Sequence, residues 1–89
     1  MAPAARVTLP TAGTIVLGRS RGCDVVMSAP TVSRRHLELR AVDGAWLAVD
    51  LRSSNGTWLL GRRVRRARVG PGDQIVLGDC AVVLEPADG

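Results

Sequence analysis

The sequence predicts an all-β protein, a sandwich of two mainly antiparallel sheets. Its apolar residues fall in short runs, and no stretch of helical length repeats apolar residues at intervals of three and four. Turn signals such as "DG", "NG", "LG" and "PGD" separate the runs, which are rich in valine. Nine such runs at this spacing are typical of a β-sandwich, whose end loops are free to bind a partner.

The nine predicted strands follow one another along the whole chain. In order, they are "RVTL", "TIVLG", "DVVM", "HLELRAV", "AWLAVDL", "TWLL", "RARV", "QIVLG" and "CAVVLE". The fourth run shows a period of two most clearly, because Leu37 and Leu39 alternate with Glu38 and Arg40. This alternation predicts a strand with one face in the core and the other in solvent.

The length of 89 residues allows a single domain, 1–89, with its core at about 7–86. Only "PADG" follows the last run, as in a domain cut from a longer protein. No apolar stretch reaches the roughly 18 residues that cross a bilayer, and the N-terminus has no block of signal-peptide type. We therefore expect a cytoplasmic protein without membrane contact, and the arginine- and alanine-rich composition favours a bacterial source.

Charge and cysteine content narrow the possible partners. Twelve basic residues, all arginine, against eight acidic residues give a net charge of +4, which favours an anionic ligand. Cys23 and Cys80 are far apart, and no further Cys or His pair completes a zinc site. We expect free, buried thiols, no metal and no cofactor.

Three polar clusters occur at strand ends: "GRS" at 18–20, "SRRH" at 33–36 and "SSNG" at 53–56. At one end of the sandwich they would pool the side chains of Arg19, Ser33, Arg34, Ser54 and Asn55. None of the clusters contains an acidic residue. Guanidinium groups offer paired N–H donors that match phosphate oxygens, and such charge-assisted bonds are about twice as strong as neutral ones. The clusters therefore predict a phosphate pocket.

In order and spacing, these blocks resemble the forkhead-associated (FHA) domain. The segment "GRS…SRRHLEL…DLRSSNGTWL" contains the Gly-Arg, Ser-x-x-His and Asn-Gly blocks in register, and "VGPGDQIVLGDCAVVLEP" resembles the final strands of the family. The likeness covers nearly all of the chain from about Val7. It implies an FHA-type β-sandwich of two twisted sheets whose end loops bind phosphothreonine peptides in Ser/Thr kinase signalling.

The resemblance also implies a role for each residue of the blocks. Arg19 would bond the phosphate, Ser33 would contribute its hydroxyl, and Arg34 would add a second phosphate contact. Ser54 and Asn55 would hold the main chain of the peptide. Three residues would support the loops: Gly18, His36 and Gly56. The expected partner is a Thr-phosphorylated protein or peptide, either a Ser/Thr kinase or its substrate.

One departure from the family pattern lies in "TWLLGRRV". Leu60-Gly61 stands where Asn-Gly is frequent in the family. Asparagine suits a tight turn with positive φ, and leucine does not. We expect a changed hairpin here and an intact binding site.

His36 raises the alternative of a catalytic triad with Ser33 and Asp50. A serine three residues from its base is no known nucleophile signature, and no oxyanion hole is evident. We therefore predict a binding module and not an enzyme. A scaffold or self-association domain of the same fold that binds without phosphate is the main alternative.

The basic run "RRVRRAR" at 62–68 holds five arginines. On a single strand they would divide between both faces, so a solvated edge that discourages aggregation is the favoured interpretation. Steering of acidic phosphopeptides and nucleic-acid contact stay open. The chain has no recognition helix and only two aromatic residues, Trp46 and Trp58, which we expect in the core, so nucleic-acid binding is the remote alternative.

Overall fold

The computed structural model describes residues 5–86, which form ten β-strands. They are β1 (Ala5–Thr8), β2 (Thr14–Gly18), β3 (Val25–Val26), β4 (Leu37–Val42), β5 (Ala45–Asp50), β6 (Thr57–Leu59), β7 (Arg62–Val64), β8 (Arg66–Val69), β9 (Gln74–Leu77) and β10 (Cys80–Glu85). The two ends of the predicted 1–89 domain, residues 1–4 and 87–89, lie outside the described residues. Between residues 5 and 86 there is no helix that could cross a membrane.

The strands form two sheets of five strands each. Their orders are β1-β10-β9-β6-β7 and β3-β2-β4-β5-β8. Six of the eight strand pairings are antiparallel, whereas β1 pairs with β10 and β2 with β3 in parallel. The predicted all-β sandwich with mainly antiparallel sheets is therefore confirmed.

The core is built from alternate residues of both sheets. In β4, Leu37 and Leu39 are fully buried, whereas Glu38 and Arg40 are partly exposed, as the period of two predicts. The first sheet contributes Val7, Ile75, Leu77, Val82 and Leu84, and the second contributes Leu17, Leu37, Leu39, Ala48 and Val69. Removal of this apolar surface from water is the main driving force for the fold.

The strand that was not predicted is β7, which lies in the basic run. This run does not form one strand, because β7 pairs with β6 in the first sheet and β8 pairs with β5 in the second. The chain passes between the sheets at Arg65. All five arginines of the run are exposed and both strands are sheet edges, in agreement with solvated edges. Only one of the three residues of β7 is apolar, so its sequence shows no alternation of apolar and polar residues from which a strand could be predicted.

The two tryptophans differ in their environment. Trp46 packs against the core, and its indole N–H donates to the Pro10 carbonyl at 2.8 Å. The expectation of a core position is wrong for Trp58, which lies on the outer face of the first sheet because its neighbours Thr57 and Leu59 point inward. A short run of apolar residues does not tell which of them faces inward.

Both cysteines are free thiols. Cys23 is buried, as expected. Cys80 is only partly buried, because it begins β10 directly after the exposed Asp79.

The hairpin between β6 and β7 has a two-residue turn. Leu59 pairs with Arg62, and φ is 51° at Leu60 and 76° at Gly61, which are the left-handed values of a type I′ turn. The expectation of a changed hairpin is therefore wrong, since leucine adopts the conformation that asparagine favours. The Leu60 side chain is 92% exposed, so no burial offsets the steric cost of this conformation.

Replacement of Leu60 by asparagine is expected to raise the free energy of unfolding by about 1 kcal/mol, because asparagine tolerates positive φ better. For a domain of this size the gain corresponds to a rise in Tm of about 4–8 °C, measurable by circular dichroism. Val42→Asn is the control, since Val42 is an exposed apolar residue in extended backbone. If Tm rose in the Val42→Asn control and not in Leu60→Asn, the result would contradict backbone strain at Leu60.

Candidate functional site

Three loops meet at one end of the sandwich because of the strand register. Leu17 near the end of β2 pairs with Leu37 at the start of β4, and Leu37 pairs with Asp50 at the end of β5. The connections beyond these strand ends are loop 1 (19–24), loop 2 (27–36) and loop 3 (51–56). The topology thereby brings the three polar clusters of the sequence together.

One pocket of about 370 Å³ lies between these loops. All five residues predicted to bind the ligand line it: Arg19, Ser33, Arg34, Ser54 and Asn55. The lining also includes four residues that were not predicted: Pro30, Thr31, Val32 and Arg35. Three arginines and no carboxylate belong to this lining, so the charge of the pocket favours an anion.

Arg19 is fixed at its inner end and free at its outer end. Its Nε–H donates to the Val32 carbonyl at 3.0 Å, and its main-chain N–H donates to the Ser33 carbonyl at 2.9 Å. Neither Nη group has a hydrogen-bond partner within residues 5–86. The guanidinium can therefore offer both Nη groups to phosphate oxygens.

Two hydrogen bonds join loop 2 to loop 3 across the pocket. The Ser33 hydroxyl oxygen accepts the main-chain N–H of Ser54 at 3.1 Å, and Asn55 Nδ2 donates to the Thr31 carbonyl at 2.9 Å. The Ser33 hydroxyl still has its own proton to donate, and the Asn55 amide keeps one N–H and its carbonyl oxygen. Both side chains thus shape the pocket and retain capacity for a ligand.

Arg34 and Arg35 present exposed side chains at the rim. The main chain of Arg34 is fixed, because its carbonyl accepts the Ser20 N–H at 3.0 Å and the Cys23 thiol at 3.1 Å. Arg35 is the cation that sequence reasoning missed. Adjacent arginines in "SRR" would alternate in direction on a regular strand, and only the loop conformation brings both to one pocket.

Gly18 allows loops 1 and 2 to approach each other. A Cβ at this position would collide with the Arg34 carbonyl and would lie 2.9 Å from the Cys23 sulfur. The need for glycine at position 18 is therefore steric and does not depend on an unusual φ.

His36 ties loop 2 to loop 3 from within the structure, where its side chain is 0% exposed. Its Nδ1 accepts the main-chain N–H of Ser33 at 3.1 Å. The ring proton of the neutral side chain is then on Nε2, which donates to the Gly56 carbonyl at 2.9 Å. One neutral imidazole thus fixes two of the three loops that carry predicted ligand-binding residues.

These contacts differ from those of a Ser-His-Asp triad. The His36 ring contacts the main chain of Ser33, while the Ser33 hydroxyl bonds to Ser54. Asp50 lies 3.9 Å from Nε2, the nitrogen already bonded to the Gly56 carbonyl. A triad requires a base that bonds the serine hydroxyl through one nitrogen and the carboxylate through the other. The geometry gives the triad no support.

The stability of the domain is expected to fall as the pH decreases below about 6.5. Burial lowers the pKa of His36 below its ordinary value of 6.5, against weaker opposing effects of the bond to Gly56 and the Asp50 carboxylate. Between the two pKa values the unfolded chain binds the proton and the folded chain does not, so stability declines by up to about 1.4 kcal/mol per pH unit.

Thermal unfolding between pH 8 and pH 5 tests this dependence. His36 is the single histidine, so His36→Gln should flatten the slope between pH 7 and pH 5. An equal slope in both proteins would contradict a neutral His36 in the folded state.

Asp50 organises loop 3, a role that was not predicted. Its carboxylate accepts the Ser53 N–H at 2.9 Å, and the Ser53 and Thr57 hydroxyls at 2.6 Å each. Burial favours the neutral carboxyl, but these three bonds outweigh it and lower the pKa of Asp50. The signal in the sequence is an aspartate three residues before a serine, the pattern of a side chain that caps a local turn.

The first sheet supports loop 3 from outside. Gly56 has a φ of 87°, and the Arg63 side chain packs so closely that a Cβ on Gly56 would lie 2.6 Å from its Nε. The indole N–H of Trp58 donates to the Asn55 carbonyl at 3.1 Å. Loop 3 is thus held by the β6–β7 hairpin as well as by His36.

Loop 2 has a second anchor at the turn between β9 and β10. The Thr31 hydroxyl donates to the Asp79 carboxylate at 2.5 Å, and this bond lowers the pKa of Asp79. Gly78 lies against the Thr31 carbonyl with no room for a Cβ. Thr31 also accepts the Asn55 amide, so the β9–β10 turn positions part of the pocket wall.

A β-sandwich whose end loops form a basic pocket without carboxylates defines an anion-binding module. The FHA domain model matches residues 15–78, well over half of the chain. The chain belongs to the FHA domain family, and the resemblance deduced from the sequence is confirmed.

Solved structures of FHA domains are similar in fold. A structure from a study of phosphothreonine-dependent FHA domain interactions has a TM-score of 0.78 and 32% identity, and the alignment covers 83% of this chain and 77% of that one. FHA-1 of Rv1747 from Mycobacterium tuberculosis has a TM-score of 0.74 and 36% identity, with 80% and 76% covered.

Among curated proteins, the oxoglutarate dehydrogenase inhibitor of Corynebacterium diphtheriae is 38% identical over 72 residues, which is 80% of this chain and 50% of that protein. The glycogen accumulation regulator GarA of Mycolicibacterium smegmatis is 36% identical over 67 residues, with 75% and 42% covered. The chain therefore spans half or less of the length of these relatives.

Proposed function

We propose that this FHA domain binds phosphothreonine peptides and thereby mediates protein–protein interaction in Ser/Thr kinase signalling. One observation carries the proposal: five donor residues from three loops line a single pocket whose lining contains no carboxylate. In the complex, Arg19, Ser33 and Arg34 bond the phosphate, while Ser54 and Asn55 hold the peptide main chain. Gly18, His36 and Gly56 support the loops and do not touch the ligand.

The similar structures support this assignment. One comes from work on phosphothreonine-dependent FHA domain interactions, and another is an FHA domain complexed with the intracellular domain of Rv3910, at 33% identity. The partner is accordingly a Thr-phosphorylated segment of a kinase or a kinase substrate, met in a bacterial cytoplasm. The domain extends over 1–89, needs no cofactor, and works as a binding module and not as an enzyme.

A titration of the purified protein with matched phosphothreonine and unphosphorylated peptides, at two salt concentrations, tests the proposal. We expect binding of phosphorylated members only, with affinity reduced but not lost at the higher salt concentration. Equal binding of both sets, or of neither, would overturn the proposal in favour of a scaffold that binds without phosphate. Strong binding of an oligonucleotide that falls steeply with salt would instead favour the nucleic-acid alternative.

A further inference from the structure

We propose that a groove on the other side of loop 3 is a second anionic subsite, which binds an acidic or second phosphorylated stretch of the same phosphopeptide. The proposal rests on the proposed function, because it assigns the remainder of the ligand and not the phosphothreonine. The groove has a volume of about 950 Å³, compared with about 370 Å³ for the pocket. Its lining includes four arginines: Arg52, Arg63, Arg65 and Arg66.

The charge of these arginines is not neutralised by the described part of the chain. The arginine ion pairs found within residues 5–86 lie elsewhere, between Arg6 and Glu85 and between Arg40 and Glu38. Asp50 is the one acidic residue of the groove lining, and its carboxylate is already bonded to Ser53 and Thr57. Four neighbouring guanidinium groups repel one another, and an anionic ligand would remove that repulsion.

The backbone at Arg52 belongs to a turn that Asp50 closes beside the groove. Arg52 has a φ of 59°, and the Asp50 carboxylate accepts the Ser53 N–H and hydroxyl across this turn. The exposed Arg52 side chain makes no hydrogen bond within residues 5–86, so its guanidinium is available to a ligand at the groove.

Loop 3 connects the groove to the phosphate pocket. Ser53 lines the groove, whereas the next two residues, Ser54 and Asn55, line the pocket. Because the two linings meet at Ser53 and Ser54, a peptide held by Asn55 can extend over this loop from the pocket into the groove. An extended chain advances about 3.3 Å per residue, so a few residues suffice to pass from one site to the other.

A peptide fits the groove better than a nucleic acid does. No aromatic side chain belongs to the groove lining, and base stacking on aromatic residues is a main source of affinity for single strands. No helix is present in the described residues to enter a major groove. The connection to the phosphate pocket also favours a ligand that is already bound there.

The test compares three phosphothreonine peptides that differ beyond the phosphothreonine: neutral residues, a short run of glutamates, or a second phosphothreonine. The variant Arg65→Ala/Arg66→Ala removes two groove side chains. The control Arg62→Ala/Arg68→Ala removes the same charge from exposed arginines of the same run that lie outside the groove. Arg63 is left intact because it packs on Gly56.

For the wild-type protein we expect an anionic stretch to tighten binding about tenfold relative to the neutral peptide, through two to four charge-assisted contacts. The groove variant should lose most of this gain while its affinity for the neutral peptide stays within about twofold. The control variant should keep the gain. Arginine Nε–H signals of Arg65 and Arg66 should shift on titration with the anionic peptides alone.

The neutral peptide separates the two proposals. If it binds and the anionic stretches add nothing, or if the control loses as much as the groove variant, the subsite is overturned and the proposed function stands. If the neutral peptide does not bind, the proposed function fails, and the subsite fails with it. A gain from glutamates identifies carboxylates as the ligand, whereas a gain from the second phosphate alone identifies phosphate. An oligonucleotide that binds the groove more tightly than either peptide would also overturn the proposal.

Discussion

Arg19→Ala is expected to abolish phosphothreonine-peptide binding and to leave the domain folded. The guanidinium offers two unpaired Nη groups to the pocket, and each hydrogen bond to a charged group contributes about 1.5–3 kcal/mol. Loss of both corresponds to an affinity at least about 100 times weaker. Isothermal titration of the variant with a peptide that the wild-type protein binds measures this loss.

The fold should survive because Arg19 makes one side-chain bond within the protein, from Nε to the Val32 carbonyl. Loss of this single part-buried bond costs about 1 kcal/mol, which a change in Tm will report. Arg21→Ala is the matched control, since Arg21 is an exposed arginine of the same loop and lies outside the pocket. Wild-type affinity in Arg19→Ala, or an equal loss in Arg21→Ala, would remove Arg19 from the site.

Arg19→Lys separates charge from geometry. Lysine keeps the positive charge but cannot present two Nη groups and bond the Val32 carbonyl at once. We expect an affinity between those of the wild-type protein and the alanine variant. Full affinity in the lysine variant would show that charge alone holds the phosphate.

The fold was predictable where local pattern and tertiary structure agree. The alternation in β4 follows directly from Leu37 and Leu39, and the "DG" turn forms as expected at Asp43-Gly44, with φ values of 50° and 78°. The prediction failed at β7, because a strand of three residues gains its identity from pairing with β6, which is not visible in its composition. The prediction of a changed hairpin at Leu60 was wrong for a related reason. The register of the β6–β7 hairpin outweighs the conformational preference of a single residue in its turn.

The pocket was predictable as a set of residues and unpredictable as a set of contacts. The three polar clusters identified Arg19, Ser33 and Asn55 because strand register brings the loops together. The roles of Asp50 and Thr31 could not be predicted, because they rest on hydrogen bonds between hydroxyl and carboxylate groups. The conformation of the loops decides which of these groups form a bond. Without a repeating backbone geometry, sequence spacing does not fix side-chain direction in loops.

Gly18→Ala is expected to disrupt both stability and binding. The new Cβ would overlap the Arg34 carbonyl, a main-chain atom that cannot rotate away as a side chain can. That carbonyl also accepts hydrogen bonds from Ser20 and Cys23, so any shift that relieves the collision breaks contacts between loops 1 and 2. We expect a loss of about 3 kcal/mol in the free energy of unfolding, the upper range for overpacked sites.

Gly22→Ala is the matched control for this substitution. Gly22 lies in the same loop, and a Cβ there would meet only the Ser20 hydroxyl at 3.7 Å, an ordinary contact. Urea unfolding should therefore show a large shift in midpoint for Gly18→Ala and nearly none for Gly22→Ala. Where Gly18→Ala remains folded, its phosphopeptide affinity should also fall, because separation of loops 1 and 2 moves Arg19 away from Ser33. A Gly18→Ala protein with native stability and affinity would show that these loops tolerate a wider spacing, and that glycine at position 18 does not set the geometry of the pocket.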